Sequence, residues 1–158
     1  MKHNCIASAL AAFLLFSSLA FAGERVAVWP KGKMPHRQEH QIAAMTDEAA
    51  QKGFKADKHR TAYIEWYDAP KADVRNGACM ILISGGGYNS CCDVKLVAGW
   101  AEKLTALGFQ CVNFVYRTPR PTGLPIWQTA WEDGQRAVRM VRKDAEKRGF
   151  DPEKIGTI

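Results

Sequence analysis

No uncharged apolar run in this sequence is long enough to cross a bilayer comfortably: the leading run, Ile6 to Leu19, falls short of the about 20 residues that a spanning helix needs. Nor does a cysteine directly follow that run to carry a lipid, since the only early one, Cys5, precedes it. The adjacent Cys91 and Cys92 do not have the spacing of zinc ligands, which argues against a structural zinc site. Charge of one sign is not segregated either: 22 basic and 16 acidic side chains give a net +6. The densest basic group (Arg136, Arg139, Arg142, Lys143, Lys147, Arg148) has acids interleaved, so it reads as a solvated helix face, and no nucleic-acid partner is expected. With 47% hydrophobic and 24% charged residues, disorder is not expected. A chain of 158 residues is one ordinary domain or part of a larger one.

What is present begins with an export signal. Lys2, the run Ile6–Leu19 and the A-x-A sequence Ala20-Phe21-Ala22 make residues 1–22 a signal peptide cleaved after Ala22, with no stable membrane insertion afterwards. The expected location is periplasmic or extracellular. Cys79, Cys91, Cys92 and Cys111 would then sit where disulfides are permitted, and four cysteines allow three pairings.

Residues 23–60 read as an N-terminal arm: an extended piece, RVAVWP, the proline-bounded KGKMPHR, and a polar helix from Gln41 to Lys52 closed by Gly53. Within it, His36 to His40 (HRQEH) fits the HxxEH pattern of inverse zincins, whose chemistry needs both histidines on one helical face. The segment has no apolar face to anchor such a helix, so solvated histidines on a surface arm are the favoured reading and no metal is expected.

Residues 61–158 carry the α/β signal. Tyr63–Tyr67 alternates as a strand. Ala78–Ile83 is a continuous apolar run, the mark of a strand buried on both faces. It stops at Gly85-Gly86-Gly87-Tyr88. Ser90 and Asp93 then have capping-box-like spacing before a helix whose apolar positions run from Val94 to Leu107, ended by Gly108. Phe109–Tyr116 is a second buried strand. Strand, glycine loop, helix and strand form a right-handed βαβ unit of about thirty residues, hence a parallel sheet. The proline-rich loop Arg117–Pro125 follows. A long helix is expected from Ile126 to about Arg148, with Trp127, Ala130, Trp131, Gly134, Ala137, Val138, Val141 and Ala145 on one face. Glu132 with Arg136 and Asp144 with Arg148 would pair along it. Lys154–Ile158 starts another strand.

Three successive glycines exceed what a strand-to-helix turn needs. A dinucleotide site is one reading, but Ser90 stands where GxGxxG needs its third glycine, and no acid follows the next strand. No cofactor is therefore expected. The other reading is an oxyanion hole. SGGGY after a buried strand resembles the HGGG loop of α/β-hydrolase esterases. The order downstream is also similar: Tyr116-Arg117, a proline-rich loop, a helix with WEDGQRAVRMVRKDA, then FDPEKIGTI. The resemblance, to the acetylxylan esterase or lipase-like branch, runs from about Tyr63 to Ile158. It implies a partial α/β-hydrolase fold, a mostly parallel sheet with flanking helices.

It also implies serine-type hydrolysis of a carboxylic ester, on acetylated carbohydrate or a similar small ester. Gly86 and Gly87 would donate backbone N–H groups to the oxyanion, and Tyr88 would wall the pocket or orient the loop. Two departures stand out: Ser84 replaces the histidine of HGGG, and GxSxG, due directly after KIGTI, does not precede Ile158. No nucleophile or triad member is assigned within the chain. Ser84, Ser90, His59 and Asp133 have no triad spacing; Asp133 either seats its helix or is solvated. The expectation is an esterase fragment, inactive alone, with uncovered apolar faces. The rival reading is a secreted binding module that uses the glycine loop as a cradle.

Overall fold

A computed structural model describes residues 23–39, 61–91 and 94–158. The signal peptide, the helix expected over Gln41–Lys52, His40, His59, Cys92 and Asp93 lie outside the described residues.

Five strands form one sheet in the order β1-β2-β4-β3-β5. They are β1 (Arg25–Ala27), β2 (Tyr63–Trp66), β3 (Cys79–Ile83), β4 (Gln110–Val115) and β5 (Ile155–Thr157). β3 pairs in parallel with β4 and with β5, whereas β2 is antiparallel to both β1 and β4. All strands but β2 therefore point the same way, and the direction of the sheet is mostly parallel. The segment read as an arm supplies β1, and Val28 beside it is fully buried in the core.

Helix α1 (Val94–Ala106) joins β3 to β4; α2 (Gln128–Lys143) and the short α3 (Ala145–Arg148) join β4 to β5. The continuous helix expected up to Arg148 is interrupted at Asp144, whose ψ of 0° leaves the helical range. Successive side chains of a strand face opposite ways, and β3 shows this plainly. Cys79 and Ile81 pack with Ala137, Val141 and Phe150, while Leu82 packs with Val97 and Ala101. The helices thus cover opposite faces of the sheet. Every residue of β4 is buried, as a strand covered on both faces requires. Of its two buried amides, Gln110 satisfies its Nε2 on the carbonyls of Tyr67 and Cys111 at 3.0 and 3.2 Å.

Gly108 stops α1 as expected. Its φ is +90°, and a Cβ there would lie 1.9 Å from the Val74 carbonyl oxygen, so only glycine fits.

The expected inner face of α2 holds at Ala137 and Val141, and at Ala145 beyond it, but not at the two tryptophans. Thr129, Asp133, Ala137 and Val141 are buried, whereas Trp127 and Trp131 are 48% and 58% exposed and pack against each other with their rings tilted by 57° and the centroids 5.3 Å apart. The i, i+4 ladder Thr129, Asp133, Ala137 and Val141 is the buried one, and Asp133 meets Arg117 there. Asp144 and Arg148 do approach, at 3.8 Å. Arg136 instead donates to the Val28 carbonyl at 2.5 Å and lies over the Trp29 ring, so its pairing with Glu132 does not form.

Cys79 and Cys111 are buried free thiols, and the buried Cys91 donates its Sγ–H to the Tyr116 carbonyl at 3.7 Å. Burial, reinforced by Cys111, pushes the Cys79 thiol up to about 12. Burial first, and then the Glu65 carboxylate, pushes the Tyr67 phenol up to about 12. Both groups are neutral when protonated, so above their ordinary pKa the unfolded chain releases protons that the folded chain keeps. Stability is therefore whole below pH 9 and falls as pH rises from 9 for Cys79, and from 10 for Tyr67, toward 12. Each group contributes up to about 1.4 kcal/mol per pH unit. Urea unfolding between pH 8 and 12 should show this slope, and Cys79→Ala should flatten its first part.

Candidate active site

The site candidate lies where β3 ends. Its neighbours β4 and β5 run parallel to it, so the loop Ser84–Ser90 stands at the carboxyl edge of the sheet, where open α/β folds bind ligands. Ile158 hydrogen-bonds in register beside it: its N–H reaches the Ile81 carbonyl at 3.0 Å, and its carbonyl accepts from Ile83 at 2.8 Å.

Gly86, Gly87 and Tyr88 take φ values of +153°, +60° and +67° in succession. A Cβ on Gly86 would meet the Ser90 carbonyl oxygen at 1.9 Å, whereas Gly85 and Gly87 face open space. The Gly86 carbonyl is turned into the loop and accepts from the N–H groups of Asn89 (3.3 Å) and Ser90 (3.2 Å) and from the Ser90 hydroxyl (3.4 Å). Among the described residues, no hydrogen-bond acceptor meets the N–H groups of Gly85, Gly86 or Gly87. A loop that turns its Gly86 carbonyl inward and leaves these donors unused can receive an anion.

Tyr88 is half-buried, with its ring 5.9 Å from that of Tyr116. The Tyr116 hydroxyl donates to the Ser90 carbonyl at 3.3 Å. Tyr88 thus ties the loop to the sheet. It does not line the apolar cleft of about 250 Å³ beside the loop, whose walls include Leu82, Ile83, Ser84, Gly85, Trp100 and Ile158. Ile83, Leu96, Trp100 and Ile158 around that cleft are 40–66% exposed, as expected for uncovered apolar faces.

The remaining polar groups occupy structural places. Ser84, at the histidine position of HGGG, is buried and its Oγ meets no partner among the described residues; the buried Asn113 amide is likewise unsatisfied. Ser90 spends its hydroxyl on Gly86 rather than on the helix start. Asp133 is fully buried and seats its helix. It accepts from the Arg117 backbone N–H (3.0 Å), from Arg117 Nε (3.0 Å) and Nη2 (2.5 Å), and from Trp29 Nε1 (2.6 Å). Arg117, its side chain wholly buried, also donates through Nη1 to the Pro35 carbonyl.

His36 has a φ of +50° and precedes the helical residues Arg37–Glu39, so it does not share a helical face within them. Its Nε2 lies 3.3 Å from Glu132 and 3.2 Å from Gln128 Nε2. No group of metal-binding side chains forms among the described residues.

Sequence reading did not find the Arg117–Asp133 pair or the role of Tyr116. The available signal was an acid on the apolar stripe of a helix, which demands a cation once that stripe is buried.

No protein-family model matches the chain. It is 34% identical over 77 residues to the endo-1,4-beta-xylanase B of Butyrivibrio fibrisolvens, a stretch covering 49% of this chain and 12% of that protein. Among solved structures it resembles an acetyl ester-xyloside bifunctional hydrolase from Caldicellulosiruptor lactoaceticus, with a TM-score of 0.57 and 20% identity over 89% of this chain and 43% of that one. A thermophilic esterase of Thermogutta terrifontis gives a TM-score of 0.55 and 17% identity, covering 86% of this chain and 40% of that one. An α/β hydrolase from a Medee basin deep-sea metagenome library gives 0.51 and 19%, covering 64% and 42%. The chain has the α/β-hydrolase fold in part, and it spans less than half the length of these structures.

Proposed function

We propose that the chain forms the oxyanion-stabilising side of a secreted, serine-dependent carboxylic ester hydrolase that acts on acetylated carbohydrate or a similarly small ester. The observation that carries this reading is the loop Gly85–Gly87 at the carboxyl end of β3, whose N–H groups meet no acceptor among the described residues. Donors fixed before reaction need no reorganisation as charge develops on the carbonyl oxygen of an ester under attack. The likeness to an acetyl ester-xyloside hydrolase and to esterases supports the ester class; the match to a xylanase supports a carbohydrate setting. The A-x-A sequence at residues 20–22 supports export.

In this proposal the nucleophilic serine stands on the turn after β5, which is anchored against Ile81 and Ile83. There its hydroxyl would face an ester held with its carbonyl oxygen on the glycine loop. Ser84, Ser90 and Asp133 take no part in bond making, because Ser84 is buried and the other two are engaged in the scaffold. The coding sequence after codon 158 tests the assignment: G-x-S-x-G should begin within the next few codons. A stop codon there would overturn it and favour a binding module.

A further inference from the structure

We propose that Tyr116 is a positioning residue for the oxyanion loop, and that the donor it aims is the Gly87 N–H. The inference deepens the ester-hydrolase reading and rests on it for the word oxyanion. The relay of contacts stands on geometry alone.

A trans peptide holds its C=O and N–H pointing in opposite directions in one plane. The Gly86–Gly87 peptide is trans, the sole cis bond among the described residues being Thr118–Pro119. Its carbonyl is drawn into the loop by two backbone donors and the Ser90 hydroxyl. Its other end, the Gly87 N–H, must therefore point out of the loop. Hydrogen bonds accepted by the carbonyl also polarise the peptide and make that N–H a better donor.

The orientation thus depends on where Ser90 sits, and Tyr116 fixes Ser90. Its hydroxyl donates to the Ser90 carbonyl at 3.3 Å, the same oxygen that lies against Gly86 and leaves no room there for a Cβ. Its ring packs against Tyr88, and its own carbonyl accepts from Cys91 Sγ at 3.7 Å. Tyr116 is itself anchored, being the last buried residue before Arg117, whose backbone N–H and guanidinium are both held by Asp133. A path of short contacts therefore runs from the buried ion pair to the donor.

The test is amide spectroscopy on the 15N-labelled chain. Tyr116→Phe keeps the ring and removes one hydrogen bond, and hydrogen exchange at the Ser90 amide should accelerate by about tenfold. The Gly87 amide resonance should move, while exchange at Val112 and Phe114 in β4 should stay as in the parent. Unchanged Ser90 and Gly87 amides would overturn the proposal, since ring packing alone would leave them so. Should Tyr116→Phe fail to fold, Ser90→Ala removes one donor to the Gly86 carbonyl. The Gly87 resonance must then move, and an unmoved one overturns the proposal. A titration with acetate separates the two claims: if Tyr116→Phe behaves as expected but acetate leaves Gly87 unshifted, the positioning role holds and the oxyanion reading fails.

Discussion

Replacing Asp133 by alanine is expected to cost about 3–5 kcal/mol of folding stability, the loss seen when one partner of a buried ion pair is removed. The cost arises because Arg117 has no route to water. Its side chain is wholly buried, and its hydrogen-bond acceptors beyond Asp133 are the Pro35 carbonyl and, at a longer 3.5 Å, Glu132. Without Asp133 the guanidinium keeps its charge and loses most of its acceptors. Trp29 Nε1 loses its acceptor as well, so the segment leading out of β1 loosens with it. Replacing both partners together, Arg117→Met with Asp133→Leu, should recover most of the loss, because apolar groups of similar volume need no partner. Denaturant unfolding of the two variants decides the matter: equal losses in both would mean that packing volume, not the stranded charge, sets the cost.

Gly86→Ala is expected to abolish the loop geometry. The added methyl would sit 1.9 Å from the Ser90 carbonyl oxygen and 2.6 Å from its carbon, both of them backbone atoms, and the residue would hold a φ of +153°. Neither is the far end of a flexible side chain, so the backbone itself would have to shift. In a protein that carries the nucleophile, loss of one aligned donor should lower kcat by roughly 100- to 1000-fold. Gly85→Ala is the matched control, since a Cβ there meets nothing within 4 Å and its φ is ordinary. Its kcat should stay within about threefold of the parent, a change below about 0.7 kcal/mol in the barrier.

The sheet was readable from the sequence where burial on both faces leaves an unbroken apolar run, as in Cys79–Ile83 and Gln110–Val115. The stop at Gly108 was readable because a positive φ leaves one residue type. In α2 the inward positions Ala137 and Val141 were readable, but the start was not: hydrophobicity places Trp127 and Trp131 inward, whereas the buried side chain is Asp133, held by Arg117, a partner 16 positions away that no local period reveals. β1 escaped a definite strand assignment for a related reason, since three residues pair with a strand 38 positions on. In the loop, composition pointed to Gly86 and Gly87. The part played by Ser90 and Tyr116 depends on a contact between chain segments 26 residues apart, which spacing alone cannot show.

The most direct measurement of the central claim is the hydrolysis of p-nitrophenyl acetate by the 158-residue chain, and by the same chain extended through the segment that follows β5. The expected result is no turnover by the shorter chain, and turnover by the longer one that collapses in Gly86→Ala and persists in Gly85→Ala. Turnover by the shorter chain that disappears when Gly86 and Gly87 are replaced, or turnover by the longer chain indifferent to Gly86→Ala, would contradict it.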